Sequence, residues 1–292
     1  MGSFSILNNI SGIYAQNQLN LNNVTLSRTL QRLSSGKRIN SGADDAAGLQ
    51  IADALKGNVT ALDQAVRNAN DGISVLQIAD GALQQITDLL DRGVTLAEEA
   101  ATGTVDSTGR SSLEAEFRSV ESEINRIASQ SNFNGLSLFN LGSGFAGQLE
   151  IAVGDLGNAG ASISVNMGYI TVTGTTGVAD INGVANTDLL NVHLDTATNA
   201  ITALQYIKNA LNAVAGMRSG IGSGINRLQA AVSVIQTQSQ NTLAAESTIR
   251  DANIAAEVAN LTKCQILTQT GMAALGQANS NGQLVLNLLK SV

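Results

Sequence analysis

The longest regular alternation of apolar and polar positions runs from Ile201 to Gln240. Leu204, Ile207, Leu211, Val214, Ile221, Ile225, Leu228, Val232 and Ile235 follow at steps of three or four, with one double step at Arg218. Such spacing keeps one face of a helix apolar. A helix of ~40 residues rises about 60 Å, so its stripe needs partners of matching length. Leu62, Val66, Ala69, Ile73, Leu76, Leu83, Leu90, Val94 and Ala97 supply one, interrupted only at Asp80 and Thr87. After a loop at 102–109, Leu113, Phe117, Val120, Ile124 and Ile127 predict another helix, ending at the Asn134-Gly135 turn signal. The glycines at 216, 220, 222 and 224 cut across the longest stripe. Each costs roughly 0.8–1.0 kcal/mol against alanine inside a helix. Either the helix bends there or neighbours approach its backbone closely; a continuous helix is the preferred reading.

The two ends carry weaker stripes. Residues 4–33 predict a helix with Ile6, Ile10 and Ile13 on one short stripe and Leu19, Leu26, Leu30 and Leu33 on another. Beyond 241, Ile249, Ile254, Val258, Leu261, Leu267, Met272 and Leu275 continue the pattern to an apolar patch at Leu284, Leu286 and Leu289. Helices this weakly apolar gain most of their stability from a partner. The terminal patch, left bare, would promote aggregation, so it is read as meeting another chain. Between them, Ser34-Ser35-Gly36 ends the first helix, and Ser41-Gly42-Ala43-Asp44 fits a capping box that puts Asp44 and Asp45 in the first turn of the next.

From about 140 to 190 the period falls to two. Leu149, Ile151 and Val153, then Ile163, Val165 and Met167, predict a hairpin turning at 154–160, and 169–184 reads as a further strand or two. The expected fold is mainly α: long antiparallel helices forming a coiled-coil core domain and a helical rod with a small β-hairpin region.

Composition narrows the function. The chain has 292 residues and no proline, where average usage near ~5% would give roughly 15, so helices run without that source of kinks. Charged residues make up 13%, a surface that repels its own copies weakly. A net charge of −7 argues against nucleic-acid binding. No apolar run reaches the ~18 residues of a membrane span, and the N-terminus has neither a signal-peptide core nor a myristoylation pattern. Cys264 is alone, which excludes an intramolecular disulfide and a cysteine metal cluster; it reads as a small buried hydrophobe. The single histidine, His193, has no nucleophile elbow to serve, and the glycine-rich stretches lack the Lys-Ser/Thr of a phosphate loop. Asp44-Asp45 and Glu98-Glu99 read as helix-end or solvated charges. No enzyme, cofactor or metal site is expected.

The run from Leu30 to Leu49, LQRLSSGKRINSGADDAAGL, closely resembles the N-terminal signature of bacterial flagellin. Its C-terminal counterpart is similar at 243–252 (LAAESTIRDA), at Ile266-Leu267-Thr268-Gln269 and at Gln277-Ala278-Asn279, and Ser131-Asn132-Phe133-Asn134-Gly135 resembles the family's helix-ending turn. The resemblance implies a structural subunit that self-assembles helically into the flagellar filament for motility, with a hook–filament junction protein as the alternative. It implies a core domain made by pairing 1–44 with 254–292, linked to a helical rod at 45–253 with its β insert at about 140–190, and subunit contacts through the terminal stripes named above. Ser34, Ser35, Gly36, Arg38, Asn40, Asp44 and Asp45 would form the linking spoke. It also implies an extracellular location, reached through the flagellum's own channel without a cleaved signal peptide. The implied partners are other subunits, an export chaperone, and the filament cap and hook-junction proteins. A vertebrate Toll-like receptor joins them, with Arg92, Leu96 and Glu116 at the matching contact positions although Asp91, Gly93 and Thr95 depart from the pattern around Arg92. The bland reading makes Leu96 a half-buried stripe edge and the two charges solvated.

Overall fold

With no proline to interrupt them, these helices stop only where a polar side chain or a glycine ends them. In the computed structural model α1 spans Ile10–Ser35. The Asn9 side chain accepts from the Gly12 N–H at its start, and Gly36 closes its end at φ 70°, where a Cβ would be strained. The other helices are α2, Ala46–Ala101; α3, Ser107–Gln130; α4, Ala197–Arg250; and α5, Ile254–Lys290. Among the described residues three antiparallel pairs lie between α3 and α4: β1 (Asn132–Phe133) with β2 (Leu136–Ser137), β3 (Gln148–Ala152) with β4 (Ser162–Asn166), and β5 (Ile170–Thr173) with β6 (Gly177–Ile181). The structure describes residues 9–140, 144–145, 147–154, 161–173, 177–181, 187–189 and 192–290, by backbone alone at 172–173, 177–180 and 281–290. The predicted Ile6 contact, the side chains of Leu284, Leu286 and Leu289, and most of the predicted 154–160 turn lie outside the described residues.

The chain divides into two compact units, Met1–Val59 with Gln240–Val292, and Thr60–Ser239. In the second, Leu76, Leu83, Ile86, Leu90 and Leu96 of α2, Phe117 and Ile124 of α3, and Ile207, Val214, Ile221 and Leu228 of α4 form a continuous core. Two of the three interruptions of the long stripes are partners: the Arg218 guanidinium donates to Asp80 at 2.8 Å and to Gln84. α4 runs unbroken through the glycine cluster, and the glycines have two different roles. A Cβ at Gly224 would collide with Val165 of β4, and one at Gly220 would sit 3.0 Å from the Asn166 carbonyl, whereas Gly216 and Gly222 have nothing within 4 Å. Across the hairpin, Ile151 of β3 fills the notch at Gly72 of α2. The β3–β4 hairpin therefore beds directly on helix backbone. Gly93 does the same for α3 and α4, admitting Phe117 and Ile207 to its backbone.

In the first unit the ends of the chain pair. The Asn22 amide donates to the Cys264 carbonyl and Thr268 hydroxyl at 2.8 Å each. Asn9 donates to the Ala278 carbonyl, and Arg32 faces Glu257 at 3.5 Å, so α1 and α5 run antiparallel. Below this pair the two connecting segments zip together: Arg38 N–H donates to the Arg250 carbonyl at 2.6 Å and Ala252 N–H to the Gly36 carbonyl at 2.9 Å. The Arg38 guanidinium reaches the Ile249 carbonyl. Asn253 caps α5 through the Ala256 N–H.

The capping box at 41–44 is corrected. Asp45, not Ser41, caps α2, accepting from the Gly48 N–H at 2.9 Å. Asp44 turns back to accept from the N–H groups of Asn40 and Ser41 and from the Ser41 hydroxyl. The buried Ile39 side chain packs on the first turn of α2 at Gly48, where a Cβ would meet it, so the 40–44 turn is held by Asp44 while Asp45 is left to cap the helix. The 102–109 loop is also shorter than read, because Asp106 caps α3 through the Gly109 N–H.

Opposite effects are expected from two substitutions in one helix. Gly222→Ala raises stability by about 0.8–1.0 kcal/mol through helix propensity. Gly224→Leu lowers it by about 1–3 kcal/mol through overpacking against Val165. Urea unfolding followed by circular dichroism reads both, and equal signs would contradict the close hairpin–helix packing. Asp44 supplies a pH test. Its bond from Asn40 N–H, then that from Ser41 N–H, hold its carboxyl below the usual 3.8. Because the folded pKa is lowered, the stabilisation is present above 3.8 and lost as pH falls through the folded value. Amide exchange at Asn40 and Ser41, corrected for intrinsic rate, should rise only below that range, and at every pH in Asp44→Asn.

Candidate assembly surface

A helix pair has too little surface to bury all the apolar positions in α1 and α5, and the predicted contact residues split accordingly. Leu19, Leu26, Leu33, Leu261 and Leu275 are half-buried in this unit, and Leu19 packs where a Cβ at Gly271 would lie 3.0 Å away. Ile10, Ile13, Leu30, Ile254, Val258 and Leu267 are exposed, Ile10 with 69% of its surface accessible. Met272 of the C-terminal stripe is exposed as well, and sequence reasoning missed further exposed members: Tyr14, Leu21 and Val24 on α1, and Ile266 on α5. On α1 their steps of three, four or seven from Ile10 were the available signal, obscured by the intervening asparagines. Exposed apolar side chains gathered on a helix pair in this number mark an interaction surface.

Thr29, Glu257 and Cys264 are buried between the exposed faces, and Cys264 is the small buried hydrophobe its solitude suggested. Of the predicted spoke, Ser35 accepts from the Lys37 N–H and the Asn40 amide, Arg38 and Gly36 belong to the backbone zip, and Ser34 is exposed. These residues cap and join helices; no reactive group is among them.

The predicted receptor positions come apart. Arg92 and Glu116 are exposed and bonded across α2 and α3, guanidinium to carboxylate at 2.9 Å. Leu96 is a correction to both readings of it: it has no accessible surface, packed in the α2–α3–α4 core, and a partner cannot touch it. His193 stands beside a charge cluster on α3. Arg118 bonds Glu114 at 2.9 Å, Glu121 at 2.8 Å and the Val192 carbonyl, while Glu114 accepts from the Leu194 N–H. Burial alone would lower the Arg118 pKa, but its bonds to Glu121 and Glu114 carry it upward. The cluster straps the approach to α4 onto α3. Among the described residues, no three of His, Cys, Asp and Glu gather as a metal ion requires, and no helix is long and apolar enough to cross a membrane.

Two regions of the chain match protein-family models. Residues 6–142 match the bacterial flagellin N-terminal helical region, and residues 204–289 the bacterial flagellin C-terminal helical region. The chain is similar to Flagellin FlaB1 of Treponema pallidum (strain Nichols), 34% identical over 290 residues covering 98% of this chain and 99% of that one. It is likewise similar to a flagellin of Listeria monocytogenes, 34% identical over 284 residues covering 97% and 98%. Among solved structures, a putative flagellar hook-associated protein from Vibrio parahaemolyticus shares the fold, with a TM-score of 0.57 and 14% identity over 71% of this chain and all of that one. With both terminal helical regions matched and relatives aligned along nearly its whole length, the chain belongs to the bacterial flagellin family.

Proposed function

We propose that this flagellin is the repeating subunit of an extracellular flagellar filament, and that copies associate through the exposed faces of α1 and α5. The observation that carries the reading is the row of exposed apolar side chains, from Ile10 to Val24 and from Ile254 to Met272, on helices already paired with each other. Fully burying one such side chain contributes about 1.5–3 kcal/mol, so a few per subunit suffice to drive polymerisation. The low charge density favours close stacking of identical copies. In this reading 1–44 and 254–292 form the polymerising core, and residues 34–45 link it to the rod. An export chaperone, the filament cap and the hook-junction proteins would meet the same apolar faces before or at the ends of growth, and export would require no cleaved signal peptide. Receptor recognition, if the chain has it, rests on Arg92 and Glu116 alone. Arg92→Ala should then reduce signalling by the flagellin-sensing Toll-like receptor in a reporter cell, and an unchanged response would dismiss the site.

Electron microscopy of purified chain, seeded with filament fragments, tests assembly directly. Long tubes of uniform diameter are expected from the full chain. Deleting 1–30 or 260–292 should leave a helical, soluble protein that forms none. Filaments from either truncation would refute the role of the ends, and a full chain that stays monomeric with intact circular dichroism would favour the junction protein.

A further inference from the structure

The helix pair and the rest of the chain carry opposite charge. Residues 1–35 and 252–292 hold four of the 16 basic residues, Arg28, Arg32, Lys263 and Lys290, but only one of the 23 acidic ones, Glu257. Three of those cations line a single groove between α1 and α5. Glu257 is buried and committed to Arg32, and Asp44 of the same chain also faces Arg32 electrostatically. Arg32 is thus provided for, although its Nε is buried without a hydrogen-bond partner. Arg28 and Lys263 are exposed and form no ion pair among the described residues, and their other groove neighbours, including Asn22, Thr25 and Asn260, are neutral.

Stacking such pairs against one another sets like charges side by side, which disfavours the contact. A neighbouring helix pair cannot relieve this, because its one acid is already used. The compensating carboxylate has to come from residues 36–251 of another copy, where the remaining acids lie. We propose that the α1–α5 groove at Arg28 and Lys263 receives an acidic side chain from the 36–251 segment of a second copy. The inference rests on the filament reading and deepens it: the contact is heterologous, groove to acidic segment, the kind that propagates rather than closing on itself. It also sets which copies dock, since opposite charges steer encounter and fix register.

Filaments grown from a mixture of unlabelled and ¹⁵N-labelled full chain, treated with a zero-length carbodiimide, provide the test. The expected product is a Lys263 isopeptide to an Asp or Glu within 36–251, with mixed isotope labels that prove it joins two copies. Lys263 linked only to Glu257 of its own chain, or not linked at all in well-formed filaments, would overturn the inference while leaving the filament reading intact. Failure to form filaments would instead overturn the reading beneath it. In parallel, Arg28→Gln with Lys263→Gln should slow seeded elongation about tenfold with unchanged circular dichroism, the scale of lost steering. The charge-keeping Arg28→Lys with Lys263→Arg should grow at the normal rate. Equal or faster growth of the glutamine variant would mean the cations repel neighbours, and the proposal would fall.

Discussion

Covering the apolar stripe of α4 is the constraint from which the rest follows. A helix of 54 residues cannot hide one face against a short neighbour, and the chain meets the demand with α2, which is of similar length. Alignment of the two is fixed by a polar contact as well as by burial. Arg218 and Asp80 interrupt their stripes at the level where they meet, so a shift of one turn would leave both charges against apolar side chains. Short strand pairs then occupy the places where helix backbone is accessible, and glycine determines those places.

The same economy explains why the molecule presents an unfinished surface. In the 60–239 unit the apolar positions of three helices and a hairpin satisfy one another, and the core side chains are fully enclosed. The α1–α5 pair has only two helices with apolar residues on more than one face, so one set is half-buried inside the pair and another stays in contact with water. Free energy remains available for association, and identical copies are the abundant partner for a flagellin. Low charge on these helices weakens the repulsion between copies that approach one another.

Between the two ends, the connectors are built from backbone bonds, not from a core. The antiparallel contact of 36–38 with 250–252 satisfies carbonyl and N–H groups that helix termini leave open. Asp44 and Asp45 divide two tasks, one holding the turn and one capping the helix. This accounts for a long run of polar and small residues that no packing argument would require.

Much of this was legible from residue order. Helix existence, the two-residue period of the β insert and the family resemblance are local or periodic properties, and such signals survive in one dimension. The sequence also announced that the glycine cluster at 216–224 was unusual. It could not tell that Gly220 and Gly224 seat a hairpin while Gly216 and Gly222 face open space, because that depends on which atoms a distant segment brings to each position. For the same reason the stripe could not be divided into inward and outward members, and Leu96 could not be recognised as core. Periodicity reports that a face is apolar; only the neighbours that fold against it decide whether it is buried within the chain or left for another copy.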